Sequence, residues 1–159
     1  MGKVLVAALL AACLAVPAMT QNLLGARTFV AQLYIKKTND RHFRFASPRI
    51  LTADLFDLVQ DGAAGLDYDP LCQCRSNDGL SAQLVSVTGN EDRAVARLLL
   101  RFDADKVAPP QRLSLILSRT PLVGWKIADV QSARIPSLKA WLERRRRGAG
   151  RAVGIARAR

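Results

Sequence analysis

The sequence predicts a small α+β domain in which a meander of four antiparallel strands is covered on one face by about three helices. Two observations lead to this prediction. Between residues 84 and 130 apolar and polar residues alternate in short segments that turn-forming residues separate, which is the period of half-buried strands. On both sides of this region apolar residues recur at the spacing of an amphipathic helix. Helices on one face of an antiparallel sheet give an α+β layer architecture.

Two helices are predicted before the strands. Thr28 can cap the first helix. Its apolar face would carry Phe29, Val30, Leu33 and Tyr34. Ser47, with Pro48 in the first turn, predicts the start of a second helix that ends at Gly62. A loop then continues to about Gly79.

Four strands are predicted at 84–87, 93–102, 113–117 and 125–130. In the second of them, Arg93, Arg97 and Arg101 mark one face and apolar residues mark the other. These arginines are also spaced by four, so that a helix fits nearly as well. Turn-like segments bracket the run at a strand-like spacing and favour the strand. The arginine-bearing face would then be the wetter face of the sheet.

A final helix is predicted to start at Ser137 and to be closed by Arg144–Arg147. We expect residues 144–159 to form a basic disordered tail, because only Gly, Ala, Arg, Val and Ile follow Arg147. Its arginines contribute much of the net charge of +11. Arg144, Arg145, Arg146 and Arg147 are therefore candidates for binding anionic lipid headgroups. A merely solvated extension is the alternative.

The N-terminus has the pattern of an export signal. A basic start, Met1-Gly2-Lys3, precedes an uncharged apolar run over 4–16, and Val16-Pro17-Ala18 offers small residues for cleavage. Residues 1–18 are thus predicted to be a signal peptide, followed by a linker at 19–27 and one domain at 28–143, in a periplasmic or secreted protein. The alternative is a lipoprotein anchored at Cys13, in the lipobox-like sequence Leu10-Ala11-Ala12-Cys13. Export makes nucleic acid an unexpected partner, despite the positive charge.

The segment 65–74, GLDYDPLCQC, concentrates the chemistry-bearing residues. Asp67 and Asp69 are candidate catalytic carboxylates, although aspartate before proline is more often a turn former. Cys72 and Cys74 can form a disulfide that pins the loop, with two free thiols as the alternative. An EF-hand-like reading fails because Leu71 and Cys72 stand where an oxygen ligand and a glycine are needed. No metal and no cofactor are predicted.

The pattern resembles the exported bacterial domain family of unknown function DUF3828, which is placed with the NTF2-like, cone-shaped α+β folds. The residues that carry the resemblance are LDYDPLCQC at 66–74 and GWKIADV at 124–130, with Phe29–Tyr34 in the first helix. The chain departs from the family at Cys74, where an acid usually follows the glutamine, and at Ala128, where a second acid is frequent.

The resemblance implies a cone with the 66–78 loop at its rim, and two functions follow from it. The first is a non-enzymatic binding or interaction module of the bacterial cell envelope, whose partner is an unknown protein or small-molecule ligand. The alternative is a carboxylate-dependent enzyme that acts on a small molecule in the cone, with Asp67, Asp69 and Asp129 as catalytic candidates. Tyr68 and Trp125 are candidates for lining a ligand pocket, or for packing in the core.

Overall fold

The computed structural model describes residues 18–40, 44–62, 66–103 and 108–157. They form an α+β fold. The elements, in chain order, are α1 (Ala18–Asn39), α2 (Ala53–Gly62), β1 (Leu80–Gly89), β2 (Arg93–Phe102), β3 (Gln111–Thr120), β4 (Gly124–Ser132) and α3 (Leu138–Arg157). An NTF2-like cone is compatible with this arrangement.

The four strands form one antiparallel sheet in the order β1-β2-β3-β4, so that the predicted meander is confirmed. In the centre of the sheet, Ala96 of β2 pairs with Leu115 of β3 and with Val87 of β1. All three side chains are buried in the hydrophobic core. The register shifts within β1, between Leu84 and Ser86, where Val85 forms a bulge on this edge strand.

The segment 93–102 is a strand and not the helix that its arginine spacing also permitted. Ala94, Ala96 and Leu98 are at most 2% exposed, whereas Arg97 and Arg101 are exposed on the opposite face. Two-residue alternation of buried and exposed side chains is the signature of a strand with one face on the core.

Helix α1 begins ten residues before the predicted start at Thr28, and it includes the segment 19–27 that was predicted to be a linker. Thr28 lies inside the helix, where its hydroxyl donates to the Leu24 carbonyl oxygen at 3.0 Å. The early start has a packing reason, since Ala26 is fully buried and Leu23 packs against the core. Residues 1–17, with Cys13, lie outside the described residues.

Helix α2 begins later than predicted. Ser47 does accept backbone hydrogen bonds from Ile50 and Leu51, but these form a turn. The chain then runs briefly beside β4, where Leu51 forms a parallel bridge with Ile127, and the helix starts only at Ala53. The Ile50 carbonyl oxygen accepts the Ile127 N–H and the Thr52 N–H donates to the Ile127 carbonyl oxygen, so neither group is available for a helix that starts at Ser47. The Thr52 carbonyl oxygen accepts the Phe56 N–H, and α2 begins there.

Helix α3 starts where its sequence predicts, because the Ser137 hydroxyl accepts the Ala140 N–H at 3.1 Å as an N-cap. It then continues to Arg157 through most of the segment 144–159 that was predicted to be disordered. Arginine and alanine, which are frequent there, have high helix propensities, so the helix continues beyond the buried core residue Leu142.

Candidate functional site

The segment 66–79 is a folded loop whose centre is Asp69. The Asp69 N–H donates to the Cys74 carbonyl oxygen at 2.8 Å, and the Asp69 carbonyl oxygen accepts the N–H of Gln73 at 2.8 Å. Gln73 has a φ of 57°, in the left-handed region that lets the chain turn back on itself. These contacts make a tight turn across 69–74.

Asp69 also anchors this loop to α1. Its Oδ2 lies 2.5 Å from Nζ of Lys37, and its Oδ1 accepts the Leu71 N–H at 2.7 Å. Lys37 is 2% exposed, so its ammonium group depends on charged and polar partners within the protein. The carboxylate thus serves as a structural counter-ion and as a turn cap.

Two further hydrogen bonds join α1 to the same loop. The Tyr34 hydroxyl donates to the Leu71 carbonyl oxygen at 2.7 Å, and the Asn77 side-chain amide donates to the Lys37 carbonyl oxygen at 2.5 Å. Burial of Tyr34, together with the nearby charge of Asp69, raises the pKa of its hydroxyl well above the usual range. Asn77 thus donates to a carbonyl group in the last turn of α1.

Cys72 and Cys74 are joined by a disulfide in the structure, with their Cα atoms 5.1 Å apart. Cys72 is fully buried in the core, and Cys74 packs against it. The bridge therefore closes the turn that Asp69 organises. The disulfide therefore lies on the side of the loop that faces the hydrophobic core.

Asp67 does not share the environment of Asp69. It is exposed and lies 2.8 Å from Arg75, whose hydrogen bond holds the pKa of the Asp67 carboxyl below its usual value. Arg134 lies 3.8 Å from the same carboxylate and stacks over the Tyr68 ring, 4.1 Å from the centroid. The two predicted catalytic carboxylates therefore have different partners and different exposure.

The third candidate carboxylate, Asp129, organises the start of α3. Its Oδ1 accepts the N–H groups of Val130 and Lys139, at 2.8 and 2.9 Å, and its Oδ2 accepts the Ser137 hydroxyl at 2.7 Å. Both oxygens are engaged in a capping network at a helix N-terminus, where negative charge is favourable.

The two aromatic candidates occupy different surroundings. Trp125, at the start of β4, is 7% exposed and belongs to the core, where its indole lies against the backbone of Gly25 in α1. Tyr68 lies under Arg134, and its buried hydroxyl has no hydrogen-bond partner among the described residues. Trp125 therefore packs in the hydrophobic core, which is the second of the two roles that the sequence allowed for it.

A groove of about 400 Å³ lies between α1 and the edge strand β1. It was not predicted from the sequence. Its α1 wall is formed by Val30, Ala31, Tyr34, Ile35 and Thr38, and its β wall by Leu80, Ser81, Ala82, Leu84 and Leu98. Ile35 is 60% exposed at its border. The alternating apolar residues of β1 gave a signal for this groove, but the wall from α1 could not be assigned without the tertiary structure.

Arg144, Arg145, Arg146 and Arg147 are exposed. Arg145 stacks over the Trp141 ring, 4.7 Å from its centroid, and Arg146 lies 3.6 Å from the Asp61 carboxylate of α2. Within the described ranges no three His, Cys, Asp or Glu side chains come together in a way that could hold a metal ion. His42 lies outside the described residues. Among the described helices, none is long and apolar enough to cross a bilayer.

Comparison of the chain with protein-family models, with curated proteins and with solved structures found no match. The resemblance to DUF3828 stays a prediction from the sequence.

Proposed function

We propose that this chain is an exported, non-enzymatic binding module of the bacterial cell envelope, and that its groove between α1 and β1 holds an extended segment of a partner protein. The observation that carries the proposal is the position of an apolar groove directly beside a sheet edge. Export is inferred from the signal-like residues 1–18.

The edge strand supplies the backbone part of the recognition. Among the described strands β1 has one neighbour, β2, so that its other side has backbone N–H and C=O groups outside the ladder. An extended segment can add to such an edge by main-chain hydrogen bonds. The regular part, Leu80–Leu84, precedes the bulge at Val85 and borders the groove.

The groove supplies the side-chain part. Its walls are mainly apolar, with Val30, Tyr34 and Ile35 on the helix and Leu80 and Leu84 on the strand. Since alternate residues of an extended segment point to the same side, every second side chain would enter the groove. The partner segment should therefore carry apolar residues at alternate positions.

The positions of the carboxylates favour binding over catalysis. Asp69 neutralises Lys37 and caps a turn, Asp129 caps α3, and Asp67 is exposed beside Arg75. None of the three lines the α1–β1 groove. A general base that takes a proton from a substrate needs a free, positioned lone pair in a cleft. Asp129 does line a depression of about 440 Å³, but both of its oxygens accept hydrogen bonds of the α3 cap.

Selection of random peptides displayed on phage against the full chain tests the proposal. We expect enriched peptides with apolar residues at alternate positions. Ala31 is exposed on α1 and lines the groove, so the variant Ala31→Trp should fill the groove and weaken peptide binding at least about tenfold.

Gln32→Trp is the matched control, because Gln32 is exposed on the same helix but does not line the groove. It should bind the selected peptides like the unmodified chain. Failure to enrich any peptide, or equal binding by the two tryptophan variants, would refute the proposal.

A further inference from the structure

The side of β1–β3 opposite the core carries charge of one sign. The core-facing side is identified by the buried residues Leu98 and Leu115, and the register places the neighbouring positions on the other side, which we call the outer face. It carries Ser81, Gln83, Ser86, Thr88, Arg93, Val95, Arg97, Leu99, Arg101, Arg112, Ser114, Ile116 and Ser118. No acidic side chain is among these described residues.

Three arginines surround one leucine on this face. Leu99 lies between Arg97 and Arg101 along β2, and it pairs with Arg112 across β3. Arg97 pairs with Ser114, so Arg112 is a diagonal neighbour of Arg97. Diagonal neighbours on one face of an antiparallel pair lie about 7–8 Å apart. The three guanidinium groups can therefore act together.

These arginines are exposed, and none of the three forms an ion pair with a described residue. A depression of about 420 Å³ lies between two of them. It is lined by Val85, Arg97, Leu99, Arg112 and Ser114, together with the backbone side of Leu98 and Leu113. Val85 is 52% exposed, so apolar surface lies next to the cationic groups.

We infer that the outer face of β1–β3 docks on the surface of a membrane that contains anionic phospholipids, with Arg97, Arg101 and Arg112 contacting the phosphate groups. Charge complementarity carries the assignment, because guanidinium groups bind phosphate oxygens in a bidentate manner and the described outer-face residues of β1–β3 include no acid. The neighbouring acid on β4, Asp129, pairs with Ile116, and both of its oxygens accept hydrogen bonds at the start of α3. Val85 and Leu99 would contact the apolar boundary below the headgroups. This contact is separate from the groove of the proposed function and from the basic residues of α3.

Cosedimentation of the full chain with vesicles of phosphatidylglycerol and phosphatidylethanolamine tests the inference, with phosphatidylcholine vesicles for comparison. Each basic residue near an anionic surface contributes about fivefold to partitioning, so the triple variant R97Q/R101Q/R112Q should lose about 100-fold. Binding should also weaken at high salt.

The matched control is R27Q/R44Q/R49Q, which removes three exposed arginines from other elements and changes the net charge equally. A second comparison is the α3 variant R144Q/R145Q/R146Q/R147Q. Selective loss in the sheet variant supports the inference, provided that circular dichroism shows the same unfolding transition.

The inference would be overturned by absence of binding to the anionic vesicles, by equal loss in the two triple variants, or by loss confined to the α3 variant. Tighter binding to a single-stranded oligonucleotide than to the vesicles would overturn it as well. Complete competition by millimolar glycerol phosphate would also overturn it, because the site would then recognise a soluble phosphate and not a membrane surface.

Discussion

The ammonium group of Lys37 lies 2.5 Å from the Asp69 carboxylate, although 32 residues separate them in the sequence. Lys37 is almost completely buried and Asp69 is partly exposed. The pair joins the last turns of α1 to the 66–79 loop, so a residue predicted as a catalytic candidate is a positioning element of the fold.

Removal of the acidic partner should destabilise the protein strongly. Asp69→Asn removes the carboxylate that lies 2.5 Å from the buried Lys37 ammonium group, and breaking a buried ion pair by removing one partner typically costs about 3–5 kcal/mol. Lys37→Met should cost less, because Asp69 stays partly exposed and keeps its hydrogen bond from Leu71. Urea denaturation measures both changes. Asp67→Asn is the control, since its carboxylate is exposed, and it should change the free energy of unfolding little. Equal effects of Asp67→Asn and Asp69→Asn would contradict this assignment.

The free energy of unfolding should fall at alkaline pH because the Tyr34 hydroxyl ionises there more readily in the unfolded than in the folded chain. Its pKa is raised by burial and by the Asp69 charge, so the folded state favours the neutral phenol. This contribution is present in full below the unfolded-state pKa of about 10 and is lost as the pH rises toward the higher folded-state pKa. Absorbance at the wavelength of tyrosinate should therefore increase together with unfolding. Tyr34→Phe should remove this coupling, whereas ionisation of Tyr34 in the folded state near its ordinary pKa would disprove it.

The disulfide should be detectable in the purified protein. Peptide mapping of the denatured, unreduced chain should find Cys72 and Cys74 in one peptide whose mass is lower by two hydrogens than after reduction. Cys72→Ser should leave Cys74 reactive toward alkylating reagents. Recovery of both residues as alkylated thiols without reduction would show that the bridge is absent in the isolated protein.

Asp129 should act on helix α3 and not on a substrate. Asp129→Ala removes the acceptor of the Lys139 N–H, and loss of such a cap typically costs about 1–2 kcal/mol. Hydrogen exchange should show faster exchange at the Lys139 and Ala140 amides. Ser137→Ala should give a similar local pattern, because it removes the cap of Ala140. Asp57→Ala, at an exposed position of α2, should leave these amides protected.

The mature N-terminus should be Met19. Cleavage after Ala18 would preserve α1 almost completely, since the helix begins at Ala18. Intact mass spectrometry of the protein purified from an expressing bacterial strain measures the terminus directly. If the mature chain starts at Met19, Cys13→Ser should not change its mass. A mature chain that starts at a lipid-modified Cys13 would establish the lipoprotein alternative instead.

Local features of the sequence were sufficient for the number and order of the strands and for one helix start, although β1 extends over Leu80–Gly89 and not only over the predicted 84–87. The alternation in β2 and β3 identified which residues face the core, because the two-residue period of a strand is independent of what packs against it. Ser137 was recognisable as a cap because its hydrogen bond with the Ala140 N–H spans only three residues and so depends on near neighbours in the chain.

The predicted start of α2 at Ser47 was wrong because β4, which is distant in the sequence, forms hydrogen bonds with backbone groups that the predicted helix would need. Ser47 and Pro48 have the composition of a helix start, yet Ile50 and Thr52 form backbone hydrogen bonds with Ile127 instead. The early start of α1 has a similar cause, since burial of Ala26 depends on the sheet. Composition cannot reveal such partners.

The sequence by itself therefore determined the meander, its core-facing residues and the cap of α3, all of which depend on near neighbours in the chain. Only the tertiary structure decided that Asp69 faces Lys37, that Asp129 caps α3, and that α1 and β1 enclose a groove. The physical reason is that the energy of a buried charge or of a groove depends on groups far apart in the sequence, which the folded chain alone brings together.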